Sequence, residues 1–263
     1  MTAPVVIIGM GEMGELFAVG FLKMGIPVYP ITRQIKPKSI ANEIPRPSLV
    51  LVAVGEDDLD ESLERLPLQW LDKVVLLQNE LIPWHWQKHG IQNPTVIIVW
   101  LDKKKGRPPV NVLPTLVGGP YAERIKELLE SIGVPCKKIS TDEITYELVR
   151  KNLYILTINL AGLLLPTNTT VNELWDQHRS LAEGVFNEIL LLQQKLAATS
   201  FGKQQILEGV LEAFRGDPDH ICTGRSASKR LKRVVRLANQ VGASCPKLKQ
   251  IQSKTEPRSV RRL

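Results

Sequence analysis

The 263-residue chain carries 34 Lys and Arg against 27 Asp and Glu, a net charge of +7, with 43% hydrophobic residues and a mean hydropathy of −0.05. That length holds one large domain or two modest ones, with enough apolar residues for a real core. No run approaches the roughly 18 uninterrupted apolar residues of a membrane helix. Three widely spaced cysteines, Cys136, Cys222 and Cys245, suggest neither a disulfide framework nor a zinc site.

The first element is the clearest. Val5-Val6-Ile7-Ile8 runs straight into Gly9-Met10-Gly11-Glu12-Met13-Gly14, and a helical pattern follows at Glu15-Leu16-Phe17-Ala18. Strand, glycine turn and helix, in that order, is the context a dinucleotide-binding fingerprint requires. Gly9 allows the tight turn, Gly11 lets the backbone approach a pyrophosphate, and Gly14 lets helix and strand pack closely. The pyrophosphate would meet backbone N–H groups at the helix N-terminus. Because the chain enters this strand at once, no signal peptide is expected, and a cytoplasmic location follows.

The second strand, 26–31, ends at Thr32 and Arg33, with Lys36 and Lys38 beyond. A site selective for NAD usually places a carboxylate here, on the ribose 2′-hydroxyl. A guanidinium instead pairs with a 2′-phosphate, so NADP is the expected cofactor. Residues 33–49 hold no obvious full helix–strand unit, so the adenosine half of the site is expected to be pared down.

Further strands are expected at 48–54, 73–78, 95–100 and 114–117. Helices are expected near 12–24, 57–65, 80–88 and 120–132. Continuous runs such as Leu49-Val50-Leu51-Val52-Ala53-Val54 suit parallel strands covered on both faces. The first part is therefore a Rossmann-like, doubly wound α/β domain over 1–140. From 141 strand signals all but vanish, and helices are expected at 142–164, 170–198, 203–214 and 226–242. Residues 141–250 make an all-α domain, and a substrate would be expected in a cleft beside the nicotinamide.

The basic excess is local. Residues 225–263 carry twelve Lys or Arg and one acid, a net +11 against −4 for residues 1–224. Lys229, Arg230, Lys232, Arg233 and Arg236 alternate with Leu231, Val234, Val235 and Leu237, which reads as the solvated face of a helix. A polyanion partner is the weaker reading, so neither nucleic acid nor a membrane is expected. Residues 251–263 are expected to form a basic, disordered tail.

Lys151 and Asn159 stand eight residues apart in the first helix of the second domain. Eight residues turn about 800°, which brings both side chains to nearly one face. Among Leu153, Tyr154, Ile155, Leu156 and Ile158, such groups need partners or a purpose. A snorkelling lysine and an asparagine bonded to a carbonyl satisfy the pattern equally well.

Over nearly its full length the chain resembles the ketopantoate reductase (2-dehydropantoate 2-reductase) family. The resemblance rests on Gly9, Gly11 and Gly14, on Arg33, on Leu77-Gln78-Asn79, on Arg150-Lys151 with Asn159, and on Gly242 and Pro246 after the last helix. It implies a Rossmann-like domain followed by a helical domain like the C-terminal one of 6-phosphogluconate dehydrogenase. It implies that NADPH reduces a small 2-oxo acid or related carbonyl to the hydroxy product, and that the chain forms a homodimer. Lys151 would be the general acid that protonates the carbonyl oxygen, since a desolvated lysine yields its proton more readily. Asn79 would lie near nicotinamide and substrate, and Asn159 would bind substrate. Three positions depart from the family: its first helix asparagine falls on Ile155, a lysine on Gly55 and a substrate-binding glutamate on Ser226. They leave a second reading, an NADP-binding or regulatory protein without turnover.

Other candidates are weaker. His85 and His89 would share a helix face, but no third ligand follows, so no metal is expected. Asp176 and His178 read as polar helix positions, and Lys103-Lys104-Lys105 as a solvated turn.

Overall fold

The computed structural model describes residues 3–102 and 110–255. The chain divides into two units, Met1–Leu148 and Val149–Leu263. In the first unit the strands are β1 (Val5–Ile8), β2 (Val28–Ile31), β3 (Leu49–Val52), β4 (Val74–Leu76), β5 (Thr95–Ile98), β6 (Leu101–Asp102), β7 (Val110–Asn111), β8 (Thr115–Gly118) and β9 (Cys136–Lys138). Its helices are α1 (Glu12–Lys23), α2 (Pro37–Glu43), α3 (Leu59–Glu64), α4 (Pro83–Gln87) and α5 (Ala122–Ser131), with a 3-10 turn at Leu68–Lys73.

Seven strands form one sheet in the order β2-β1-β3-β4-β5-β8-β9. All neighbours run parallel except β5 and β8. β1 and β3 are buried at every residue, which explains their unbroken β-branched and Leu runs. Helices α1 and α5 pack so closely that a Cβ on Gly20 would meet the Leu128 side chain at 2.7 Å. Beyond β1 only β2 extends the sheet, so the nucleotide half is pared down as expected. Between β2 and β3 the chain does build a short helix, α2, which the sequence pattern did not reveal. Pro37 starts it, and only Pro37, Ile40 and Ala41 are buried, too few for a period to emerge.

The edge strand β9 was also missed. Its sequence is Cys-Lys-Lys, with only Cys136 buried, and exposed lysines are what an unpaired sheet edge favours. The pair β6 and β7 flanks 103–109, so Lys103, Lys104 and Lys105 lie outside the described residues.

The second unit is helical: α6 (Thr141–Gly162) enters it, followed by α7 (Val171–Gln177), α8 (Arg179–Ala197), α9 (Lys203–Gly216), α10 (Ala227–Gln240) and α11 (Pro246–Thr255). The division at Leu148 falls inside α6 rather than at 140. The first turns of α6 belong to the sheet domain, because Ile144 packs where a Cβ on Gly118 would stand. The single helix expected over 170–198 is two. His178 leaves helical geometry at φ −125°, ψ 30°, ending α7 and starting α8. The Thr170 side chain accepts from Glu173 N–H at 3.2 Å, and Glu173 accepts from Thr170 N–H at 2.9 Å, a capping box.

The tail expected over 251–263 is corrected in part. Residues 251–255 complete α11, because Leu248 and Ile251 are both fully buried and anchor that helix. Glu188 of α8 accepts from the Lys247 and Leu248 N–H groups at 2.7 and 2.9 Å, satisfying the start of α11. Residues 256–263 lie outside the described residues. No described helix is long and apolar enough to cross a membrane.

Candidate functional site

Parallel strands deliver their C-terminal ends to one edge of the sheet, and β1 and β3 lie side by side where the strand order reverses. Between the loops that follow them runs a groove in two parts. A cavity of about 610 Å3 is lined by Gly9, Met10 and Gly11, by Thr32 and Arg33, by Ala53 to Gly55, and by Asp58 and Arg65. A second, of about 360 Å3, is lined by Gly11, Glu12, Met13, Gln78 and Asn79. Both share Gly11, Ala53, Val54 and Gly55. The groove thus leads from the end of β2, across the glycine turn, to the end of β4.

The three glycines differ in what they do. Gly9 adopts φ +95°, and a Cβ there would stand 2.8 Å from the Ala53 carbonyl oxygen. Gly14 lies behind the turn, where a Cβ would run into the Gly9 carbonyl oxygen. Gly11 has nothing within 4 Å of a Cβ position and faces the groove. Gly9 and Gly14 therefore build the turn, while Gly11 keeps it open to a ligand. Of the residues expected to hold the cofactor, Gly9, Met10, Gly11, Glu12, Met13, Thr32, Arg33 and Asn79 line the groove.

Two ion pairs that the sequence did not announce stand at the β2 end. The Arg33 guanidinium reaches Asp58 at 3.3 Å, both well exposed, and Arg65 pairs with Glu61 one helical turn away. At 92% open to water, the Arg33 side chain can meet a ligand in the cavity it lines. Asp58 and Arg65 carried no signal beyond membership of a charged helical stretch.

At the other end, Gln78 is buried and its Nε2 donates to the carbonyls of Val52 at 2.6 Å and Val54 at 3.2 Å. Gln78 Oε1 accepts from Leu77 N–H at 3.2 Å. This side chain ties the β3 loop to the β4 loop, and Gly55 and Asn79 on those loops line the same cavity. Glu80, directly after Asn79, adopts φ 63°, a conformation rare outside glycine and frequent beside functional sites.

In the second unit, Lys151 and Asn159 are 2% and 4% exposed on α6. Asn159 Nδ2 donates to the Cys222 carbonyl at 3.0 Å, and Arg230 Nη1 donates to Asn159 Oδ1 at 2.6 Å. Arg230, read from sequence as part of a solvated face, is instead half-buried and bonded to a buried amide. Ile155, midway between Lys151 and Asn159, is the one half-covered residue among 151–162. Ser226 is exposed and precedes α10 without capping it. Gly55 has open space around it, so no neighbour there excludes a side chain.

The remaining candidates resolve as structure. Helix α4 ends at Gln87, so His85 and His89 do not share a helix face. His89 Nε2 instead lies 2.6 Å from Asp60 Oδ1. His85 Nδ1 accepts from Ile82 N–H at 3.2 Å, and burial pushes its pKa down to about 4. Asp176 accepts from Asn172, and His178 is the hinge between α7 and α8. No described residues group three or more His, Cys, Asp or Glu as a metal site. All three cysteines are buried free thiols, and burial raises Cys136 to about 11 and Cys222 to about 12.

No family model and no curated protein matches the chain. Solved structures do. The fold is shared with a ketopantoate reductase of Ralstonia eutropha, 13% identical, with a TM-score of 0.66 over 96% of this chain and 97% of that one. A dimeric ketopantoate reductase of Staphylococcus aureus is 14% identical, with a TM-score of 0.63 over 96% and 97%. A D-mandelate dehydrogenase solved with NADH is 15% identical, with a TM-score of 0.63 over 95% and 96%. The fold expected from the sequence resemblance, a Rossmann-like sheet domain followed by a helical domain, is the fold of this chain.

Proposed function

We propose that the chain is an NADP-dependent oxidoreductase that reduces a small 2-oxo acid or related carbonyl to the hydroxy product. The observation that carries the reading is the pair of adjoining cavities that share Gly11 and Ala53 to Gly55, one lined by Arg33 and the other by Asn79. That is the order of a dinucleotide: a 2′-phosphate at Arg33, a pyrophosphate over Gly11 and the start of α1, and a nicotinamide beside Asn79. The bound cofactor supplies a hydride to the carbonyl carbon. Lys151 gives a proton to the carbonyl oxygen as the general acid. Asn79 orients the nicotinamide end, and Asn159 takes part in substrate recognition.

The solved relatives support the class: ketopantoate reductase and D-mandelate dehydrogenase both carry 2-oxo or 2-hydroxy acid names, and one was solved with NADH. A homodimer is proposed with the dimeric Staphylococcus aureus enzyme in view. Three buried thiols suit a reducing, cytoplasmic setting. The test is NADPH and NADH binding, followed by a panel of 2-oxo acids. Turnover lost in Lys151→Ala with NADPH binding kept supports the reading. NADPH binding without turnover on any acid replaces it with the nucleotide-binding reading, which Gly55 and Ile155 favour.

A further inference from the structure

Helix α3 and the residues that bracket it present one flank to the cavity at the β2 end. Leu59 and Leu63 are buried on the core side of the helix. Asp58, Glu61, Ser62 and Arg65, at i, i+3, i+4 and i+7, line the cavity instead. The three charged side chains among them are each at least half open to water. Two guanidinium groups therefore line one cavity, since Arg33 enters it from the end of β2.

Each guanidinium rests on a carboxylate of that flank: Arg33 reaches Asp58 at 3.3 Å, and Arg65 pairs with Glu61. Residues 58 and 61 are three apart, so the backbone positions that hold the two groups differ by roughly 5 Å along the helix axis. Arg65 leans back toward the start of the helix to meet Glu61, which carries its guanidinium toward Arg33. That separation suits a single phosphate between them, with a fork of donors on either side. Neither pair resists exchange, because ion pairs between exposed side chains are weakly held and salt weakens them further. A guanidinium has five N–H groups, and a phosphate monoester brings more charge and more acceptor oxygens than the carboxylate it replaces. Gly55 lines the same cavity with nothing within 4 Å of a Cβ position, which leaves room for the group. Ile35 and Pro37 add apolar lining, which suits an adjoining base.

We infer that Arg65 is a second phosphate-binding residue, which leaves Glu61 to close on the 2′-phosphate of the dinucleotide from the side opposite Arg33. The inference rests on the NADP reading of this cavity. It gives Arg65 and Glu61 opposed roles in selecting NADPH over NADH. Arg65 attracts the 2′-phosphate, whereas Glu61 repels it and competes for the same guanidinium.

The test uses the full chain and calorimetric titration with adenosine 2′,5′-bisphosphate and 5′-AMP, which differ by the 2′-phosphate alone. It is repeated with NADPH and NADH, and the readout is the preference for the 2′-phosphorylated member of each pair. Arg65→Gln is expected to cut that preference roughly 10-fold. Arg65→Lys should keep part of it, since it retains the charge and loses the fork. Glu61→Gln is expected to raise the preference roughly 2- to 5-fold. Both Gln variants break the same ion pair, so a purely structural pair would shift both in one direction, whereas the inference shifts them in opposite ones. Where circular dichroism shows Arg65→Gln misfolded, Arg65→Lys and Glu61→Gln decide. A wild-type preference in Arg65→Gln, or a fall in Glu61→Gln, overturns the inference, while NADPH oxidation by a 2-oxo acid would still uphold the reductase reading. An Arg65-dependent preference without NADPH oxidation on any acid leaves the phosphate site standing and removes reduction alone. No preference for the 2′-phosphate in the wild type overturns the Arg65 site and the NADP assignment together.

Discussion

A Cβ placed on Gly14 would stand 2.0 Å from the carbonyl oxygen of Gly9, whereas one placed on Gly11 would touch nothing within 4 Å. The same motif therefore contains one position where a methyl group breaks the fold and one where it only enters the groove. Gly14→Ala is expected to destabilise the protein by about 1–3 kcal/mol or more, since backbone rather than a flexible side chain must move. Gly11→Ala is expected to leave stability within about 1 kcal/mol. NADPH binding should fall in both. Thermal melts and titrations with NADPH separate the two outcomes, and a Gly11→Ala protein that binds NADPH normally would place the pyrophosphate elsewhere.

Arg33 shares its guanidinium with Asp58. A 2′-phosphate at Arg33 must compete with that carboxylate and be repelled by it. Asp58→Asn is therefore expected to tighten NADPH binding severalfold and to leave NADH nearly unchanged. Arg33→Ala should weaken NADPH and spare NADH. The pair is largely exposed, so the effect should shrink as salt rises. Equal responses of the two cofactors in both variants would remove Arg33 from the 2′-phosphate site.

Gln78 joins the β3 and β4 loops through two carbonyls, both on the β3 side. In Gln78→Leu the Val52 and Val54 carbonyls lose that donor, at a cost of about 1–3 kcal/mol. The loop that carries Gly55 should loosen, and Asn79 with it. The expected signature is a lowered Tm together with weaker binding of the nicotinamide end, read as a larger loss for NADPH than for adenosine 2′,5′-bisphosphate. Equal losses for both probes would show that Gln78 supports the fold without shaping that end of the groove.

Much of the sheet domain was legible because its strands are buried on both faces and their residue types announce it. The Gly9–Gly14 turn was legible because its steric demands admit only glycine at two positions. The failures share a cause. Helix α2 and strand β9 bury only a few residues each, so they leave no period to read. Residues 251–255, the end of α11, read as tail because they carry little apolar signal beyond Ile251, yet that residue is fully buried. Arg230 was hidden by its neighbours, since Lys229, Lys232 and Arg236 are exposed as a solvated face should be. A long-range contact with Asn159, 71 residues away, distinguishes it, and sequence spacing holds no trace of such a contact.

His85 supplies a pH dependence. Its ring is buried, accepts from the Ile82 N–H, and has a pKa pushed down to about 4 by desolvation, against 6.5 when free. The unfolded chain therefore binds a proton between those values while the folded chain does not. Stability is complete above about pH 6.5 and is lost as pH falls toward 4, by on the order of 3 kcal/mol from this group. Urea melts between pH 7.5 and 4.5 should show this decline. His85→Gln gives up the Ile82 contact, lowering stability at pH 7.5, but its curve should be flatter on acidification. Parallel pH curves for the two proteins would mean that His85 is protonated in the folded state as readily as in the unfolded chain.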